Sequence, residues 1–160
     1  MKTGSYRKTF VKNNENFAYK PNRGELKPLM SEEEKDDAPI KELSYDFACR
    51  IVRLFQYLTE DSSYKEFIVS KQVYRSGTSI GANICEAQNA QSRPDFLSKM
   101  TIASKEANET DYWLNLLHDN GYLNNRQFSS LDNDMKRLLH KLLAIVKTTK
   151  ENIAKQKPKT

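Results

Sequence analysis

Residues 73–117 read VYRSGTSIGANICEAQNAQSRPDFLSKMTIASKEANETDYWLNLL, and the reading of this stretch decides the fold. Two helical patterns meet at Ser92-Arg93-Pro94-Asp95. Proline suits a first helical turn, and the aspartate sits at the positive end of the helix dipole. Before the turn, Phe67, Val73, Ile80, Ile84 and Ala87 share one side. After it, Phe96, Met100, Ala103, Ala107, Thr110, Leu114 and Leu117 form a stripe that Trp113 and Leu116 widen. The middle of the first pattern is unusual. Gly77 and Gly81 each cost about 1 kcal/mol against alanine in a helix interior. Thr78 is β-branched, and Ser76 and Ser79 compete for backbone bonds. A helix that carries them must gain from packing, and small residues at 76, 77, 79, 81 and 82 admit a neighbouring backbone. An irregular loop over 76–79 is the alternative. The GxxxG spacing occurs in membrane dimers, but Arg75, Asn83 and Glu86 exclude lipid.

Working outward, Pro39 fits a first turn, and Leu43, Phe47, Ile51, Leu54 and Leu58 follow at spacings of three and four. They predict a helix over 39–60. Ser63 with Glu66 fits a capping box for a second helix over 64–89. On the other side, His118 and Gly121 mark the end of the third helix. Asn124 with Gln127 starts a fourth, carrying Phe128, Leu131, Met135, Leu138, Leu142, Ile145 and Val146 and fraying near 150. Short connections favour antiparallel neighbours. The expected fold is all-α, an up-down-up-down antiparallel four-helix bundle over 39–148. Residues 1–38 mix Lys, Asn, Glu, Pro21, Gly24 and Pro28 without period. They are expected to form a disordered arm, in which Phe10, Phe17 and Tyr19 offer docking groups. Ser31 and Glu34 have the form of a capping box, but no apolar stripe follows at once; the acidic run 32–37 is expected to lead into the first helix. Residues 149–160 are expected to be a basic tail.

The formal charge of +5 is unevenly spread. Residues 41–146 hold 13 basic and 13 acidic side chains, whereas 147–160 hold five lysines against Glu151. A basic tail points to a polyanion partner, through phosphate contacts and counterion release, or to simple solubilisation. No apolar run approaches the roughly 18–20 residues that a membrane span needs. The expectation is a soluble, cytoplasmic protein without membrane contact. Cys49 and Cys85 stand far apart, outside any metal-ligand spacing, and read as reduced core or near-core thiols.

One constellation invites chemistry. Ser76, Ser79, Asn83 and Glu86 step by three, four and three on the second helix; Glu106, Glu109 and Thr110 gather on the third. A di-iron carboxylate bundle requires Glu-x-x-His pairs, and neither His118 nor His140 follows any of these glutamates by three. Hydrolysis by paired acids needs a concave site, which short connections do not provide. No cofactor, metal or catalytic group is expected. The reading is a buried polar layer of Arg75, Ser76, Ser79, Asn83, Glu86, Glu106, Glu109 and Thr110 that fixes helix register. Asn83 and Glu86 are expected to bond to the third helix or to free backbone near the small residues.

The blocks QVYRSGTSIGANICEAQN and DFLSKMTIASKEANETDYWLNLLHDNGYL resemble a family signature. It is that of the bacterial four-helix-bundle proteins encoded by intervening sequences of 23S rRNA genes, whose fold includes the accessory protein of diversity-generating retroelements. Arg75-Ser76, Ser79-Ile80, Asn83-Ile84, Glu86, Asp95-Phe96, Glu109-Thr110 and Tyr112-Trp113-Leu114 carry the resemblance. Ala87 departs from it, since members often have glycine there. The resemblance implies a homo-oligomer, typically a pentamer, without enzymatic activity. The retroelement member implies a scaffold that joins a reverse transcriptase and binds RNA or DNA.

Tyr45, Tyr57, Tyr74, Tyr112 and Tyr122 lie at the stripe edges and suit an oligomer interface. Phosphate contacts are expected at Arg126, Lys136, Arg137, Lys141, Lys147, Lys150, Lys155, Lys157 and Lys159. The leading expectation is a non-catalytic oligomeric scaffold that binds nucleic acid, beside a reverse transcriptase. The alternative is a protein-interaction module of the same family with no nucleic-acid role.

Overall fold

The apolar positions at three- and four-residue spacing converge on one core: Phe47, Ile51 and Leu54 meet Val73, Ile80 and Ile84, then Met100, Leu114, Leu131 and Leu138. A computed structural model describes residues 26–156, apart from positions 62 and 64. The described residues form helices α1 (Glu32–Asp37), α2 (Ile40–Gln56), α3 (Val69–Ala87), α4 (Arg93–Asp119) and α5 (Asn125–Lys155), with no strand among them. Helix α2 continues into a π-helical turn, Tyr57–Asp61. Helices α2–α5 are the expected bundle. Each packs on the next in chain order, and α5 returns to α2 with the fewest direct contacts of the four neighbouring pairs.

Local chemistry sets the ends. Ser92 accepts from the Asp95 N–H at 3.2 Å, and Asn124 and Gln127 form a reciprocal capping box. Gly121 at φ +79° takes the left-handed turn that closes α4. The second bundle helix departs from expectation. It begins at Val69, because Lys65 sits at φ +49°, and a helix cannot run through that conformation. Ser63 therefore does not cap it. Glu66 does, its carboxylate accepting from Ile68, Val69 and Ser70 N–H groups at 2.6–2.8 Å. Burial opposes ionisation there, but the three donors prevail and hold the carboxyl below its ordinary range.

Helix α3 runs unbroken through 76–79, so the loop alternative is not realised. Its glycines face α2. A Cβ on Gly77 would stand 2.8 Å from Ile51 Cγ1, and one on Gly81 would stand 3.5 Å from the Ser44 carbonyl oxygen. Helix α5 extends to Lys155, past the expected fraying near 150. Cys49 is half-buried and Cys85 exposed, both as free thiols.

The arm expected over 1–38 falls into two parts. Residues 1–25, with Phe10, Phe17 and Tyr19, lie outside the described residues. Residues 26–38 do not behave as a flexible arm: they form a strap across α2 and α5. Ser31 and Glu34 make their capping box at 3.3 and 2.8 Å, and it caps α1 itself. Leu26 and Ala38 are buried in the main core.

Candidate functional site

The expected polar layer is mostly not a layer. Ser76 and Thr110 are buried with their hydroxyls 2.9 Å apart, bridging α3 to α4. Around them the groups spread toward solvent. Arg75 is exposed and pairs with Glu109, which also accepts from the Trp113 indole N–H at 3.2 Å. Glu106 is 18% exposed, and its Oε2 lies 3.8 Å from Arg75. That is an ion-pair distance, too long for a hydrogen bond, and the oxygen has no other partner among the described residues. Asn83 bonds within its own helix, to the Ser79 carbonyl at 2.9 Å and the Ser79 hydroxyl at 3.3 Å. Glu86 is exposed and pairs with Lys99 of α4. The reason is rotational. Ten residues at about 100° each leave Glu86 some 80° from Ser76, far enough to reach the surface. The carboxylates thus meet cations and an indole; among the described residues no three metal-ligating groups come together. His118, flagged at the end of α4, stacks on Phe128 at 4.2 Å and lies 2.9 Å from Asn125 Oδ1.

The expected phosphate contacts divide. Lys147, Lys150 and Lys155 are exposed on the part of α5 beyond Val146, its last buried residue. Arg126 is exposed beside a cavity of about 220 Å³ under Leu26 and Pro28. Lys136 pairs with Asp132 at 2.7 Å. Arg137 meets Glu32 at 3.1 Å and Asp36 at 3.2 Å, both from the strap. Lys141 donates to the Asp36 and Ala38 carbonyls at 3.0 and 3.1 Å. Lys157 and Lys159 lie outside the described residues.

The tyrosines divide as well. Tyr45 (46% exposed), Tyr74 and Tyr112 (59%) stand at the surface. Tyr57 and Tyr122 pack against the core, so they are rim residues and not free interface groups. Beside Tyr45 a groove of about 350 Å³ runs between α2 and α3, floored by Ala48, Thr78, Gly81, Ala82 and Cys85.

One constellation escaped the sequence reading. Arg50 (0% exposed) and Lys35 (1%) are buried against Asp134. Lys35 Nζ donates to Asp134 Oδ1 at 2.7 Å, and Arg50 pairs with Oδ2. Arg50 also donates to the carbonyls of Leu26 and Ser130, each at 2.9 Å, and to the Ser130 hydroxyl at 2.7 Å. Asp46, buried nearby, accepts from the Leu29 N–H at 2.6 Å. Burial pushes its carboxyl above the ordinary range, and that N–H only partly offsets the shift. A signal existed: Asp46 and Arg50 fall beside Phe47 and Ile51 within the apolar stripe of α2.

The model of the 23S rRNA-intervening sequence protein family matches residues 36–144. Four chains of solved structures match. Among them is a protein of unknown function from the S23 ribosomal protein family of Bacteroides thetaiotaomicron, solved at 1.70 Å, which is 50% identical with a TM-score of 0.66. The similarity covers 68% of this chain and 99% of that one. No curated protein matches.

Proposed function

Because the chain belongs to the 23S rRNA-intervening sequence protein family, we propose that it is a non-catalytic, oligomeric helical scaffold that holds nucleic acid along α5. One observation carries this reading. Arg126, Lys136, Arg137, Lys141, Lys147, Lys150 and Lys155 fall within about half the circumference of α5, at roughly 100° per residue. That half faces away from Leu131, Leu138 and Leu142, which the core buries. A helix of 31 residues is about 46 Å long at 1.5 Å per residue. It offers a linear track of cations, the form in which a phosphate backbone presents its charge. The partner to which such a scaffold presents nucleic acid is a reverse transcriptase, on the strength of the resemblance to the retroelement accessory protein.

The test is binding of single-stranded RNA and duplex DNA by the full chain and by Lys147→Gln/Lys150→Gln/Lys155→Gln, across about 50–200 mM salt. Loss of three phosphate contacts is expected to weaken binding and to flatten the log–log salt slope by roughly 2–3. Equal affinity and slope for the two proteins sinks the role of this end of the helix.

The groove beside Tyr45 favours the oligomeric part, and equally the reading of a protein-interaction module without nucleic acid. Small residues there admit a close neighbour, and tyrosine is enriched at interfaces. A second copy of this chain is the proposed occupant. Ala82→Arg, at an exposed position on the groove floor, is expected to reduce the particle mass in light scattering to that of one chain. An unchanged multimer removes the groove from the interface; a wild-type protein that is already a single chain removes the oligomer.

A further inference from the structure

The strap carries five acids and one lysine in six residues, EEEKDD, and it sorts them by side. The lysine is turned inward to Asp134, and the acids face outward. Two of them, Glu32 and Asp36, are four residues apart and share a helix face. They reach the two terminal nitrogens of one guanidinium: Glu32 Oε2 lies 3.1 Å from Arg137 Nη1, and Asp36 Oδ1 lies 3.2 Å from Nη2. Lys141, one turn further along α5, is held by the strap's carbonyls. Two paired anionic oxygens on a guanidinium are what a phosphate group offers in the same place.

We propose that α1 is a built-in polyanion mimic: Glu32 and Asp36 occupy Arg137 on the basic track of α5 and compete there with nucleic-acid phosphate. The proposal rests on the reading that α5 binds nucleic acid. Three further observations support it. The strap has anchors besides Arg137: buried Leu26, the Leu26 carbonyl on Arg50, and Lys35, which holds Asp134 and also the Glu32 Oε1 at 2.8 Å. Glu32 uses Oε2 on Arg137 and Oε1 on Lys35, so it and Asp36 can release Arg137 while the segment stays fastened. Both carboxylates are largely exposed, and exposed ion pairs are weak enough to exchange. Finally, the family match begins at residue 36, so residues 26–35 of the strap lie outside the matched region. The consequence is a graded track. Phosphate engages Lys147, Lys150 and Lys155 first, and Arg137 opens only when the nucleic acid displaces the acids.

The experiment compares full-length Glu32→Gln/Asp36→Asn with Glu60→Gln/Asp119→Asn, which removes two acids elsewhere on the surface. The probe is a single-stranded RNA, titrated at low and high salt, with helical content and melting checked for each variant. The strap variant is expected to bind about tenfold tighter than the control, as one charge-assisted contact is gained. Its salt slope should steepen by about one. Adding Arg137→Gln to the strap variant should abolish the gain. In the wild-type background Arg137→Gln should change affinity little, because that guanidinium is already occupied. A gain no larger than the control's, or one that survives Arg137→Gln, overturns the mimic and leaves the scaffold reading standing. Absence of RNA binding in every protein overturns both.

Discussion

Asp134→Asn is expected to destabilise the protein by about 3–5 kcal/mol, the cost of removing one partner from a buried charge cluster. On this domain size that corresponds to a fall in Tm of roughly 10–20 °C, read from a thermal melt by circular dichroism. The substitution keeps volume and shape and removes only the anion. Arg50, almost wholly buried, then loses its paired carboxylate, and buried Lys35 keeps only the exposed Glu32, 2.8 Å away. Asp46 does not take over. Its Oδ1 already accepts from the Leu29 N–H, and burial disfavours its charged form. Replacing the whole cluster by apolar side chains, Lys35→Met/Arg50→Met/Asp134→Leu, is expected to recover most of the loss, since a buried ion cluster contributes little over well-packed apolar groups. A loss below about 1 kcal/mol for Asp134→Asn, the range of an exposed pair, shows that the cluster does not fasten the strap.

The second large effect is a difference of sign between two glycines one turn apart. Gly77→Ala is expected to destabilise by about 1–3 kcal/mol, the range for overpacking, despite a helix-propensity gain of about 1 kcal/mol. The new methyl would stand 2.8 Å from Ile51 Cγ1 and 3.0 Å from Cγ2. These are branch atoms near the α2 backbone, on a side chain with no exposed surface, so it cannot swing aside. Gly81→Ala meets the Ser44 carbonyl oxygen at 3.5 Å, an ordinary contact. It keeps most of the propensity gain and is expected to stabilise by up to about 1 kcal/mol. Urea denaturation of the two variants decides the matter. Equal signs would show that α2 and α3 adjust their spacing and that the close approach at Gly77 is not fixed.

Local signals in the sequence carry the helices, and long-range contacts lie beyond them. The four bundle helices were legible because each carries an apolar stripe at helical spacing, and because Ser92, Asn124 and Gly121 act locally. The start of α3 was not. A glutamate side chain is long enough to cap a helix from three residues upstream, and the left-handed Lys65 leaves no mark in composition. The polar layer was half legible. Spacing places Ser76 and Glu86 on adjoining faces of one helix, but which of them meets α4 depends on how the helices rotate against each other. Ser76 meets it through a buried hydroxyl and Glu86 through a surface pair with Lys99. The basic track was legible as charge, while the persistence of helix to Lys155 was underestimated. The cluster around Asp134 was hidden for a different reason. Its cations come from an acidic segment and from an apolar stripe, and its anion sits on the last helix; nothing short-range connects them.

That separation has a consequence for how the chain is made. Lys35 and Asp134 are 99 positions apart, and Arg50 and Asp134 are 84 apart. As synthesis proceeds from the N-terminus, α2, α3 and α4 are all made before Asp134 is added. Distant pairings of this kind form late, because the loop entropy must be met first. The seam between the first and last bundle helices is then the final one to close. A released chain that ends before residue 134 should hold a three-helix sheaf with its N-terminal segment still unfastened.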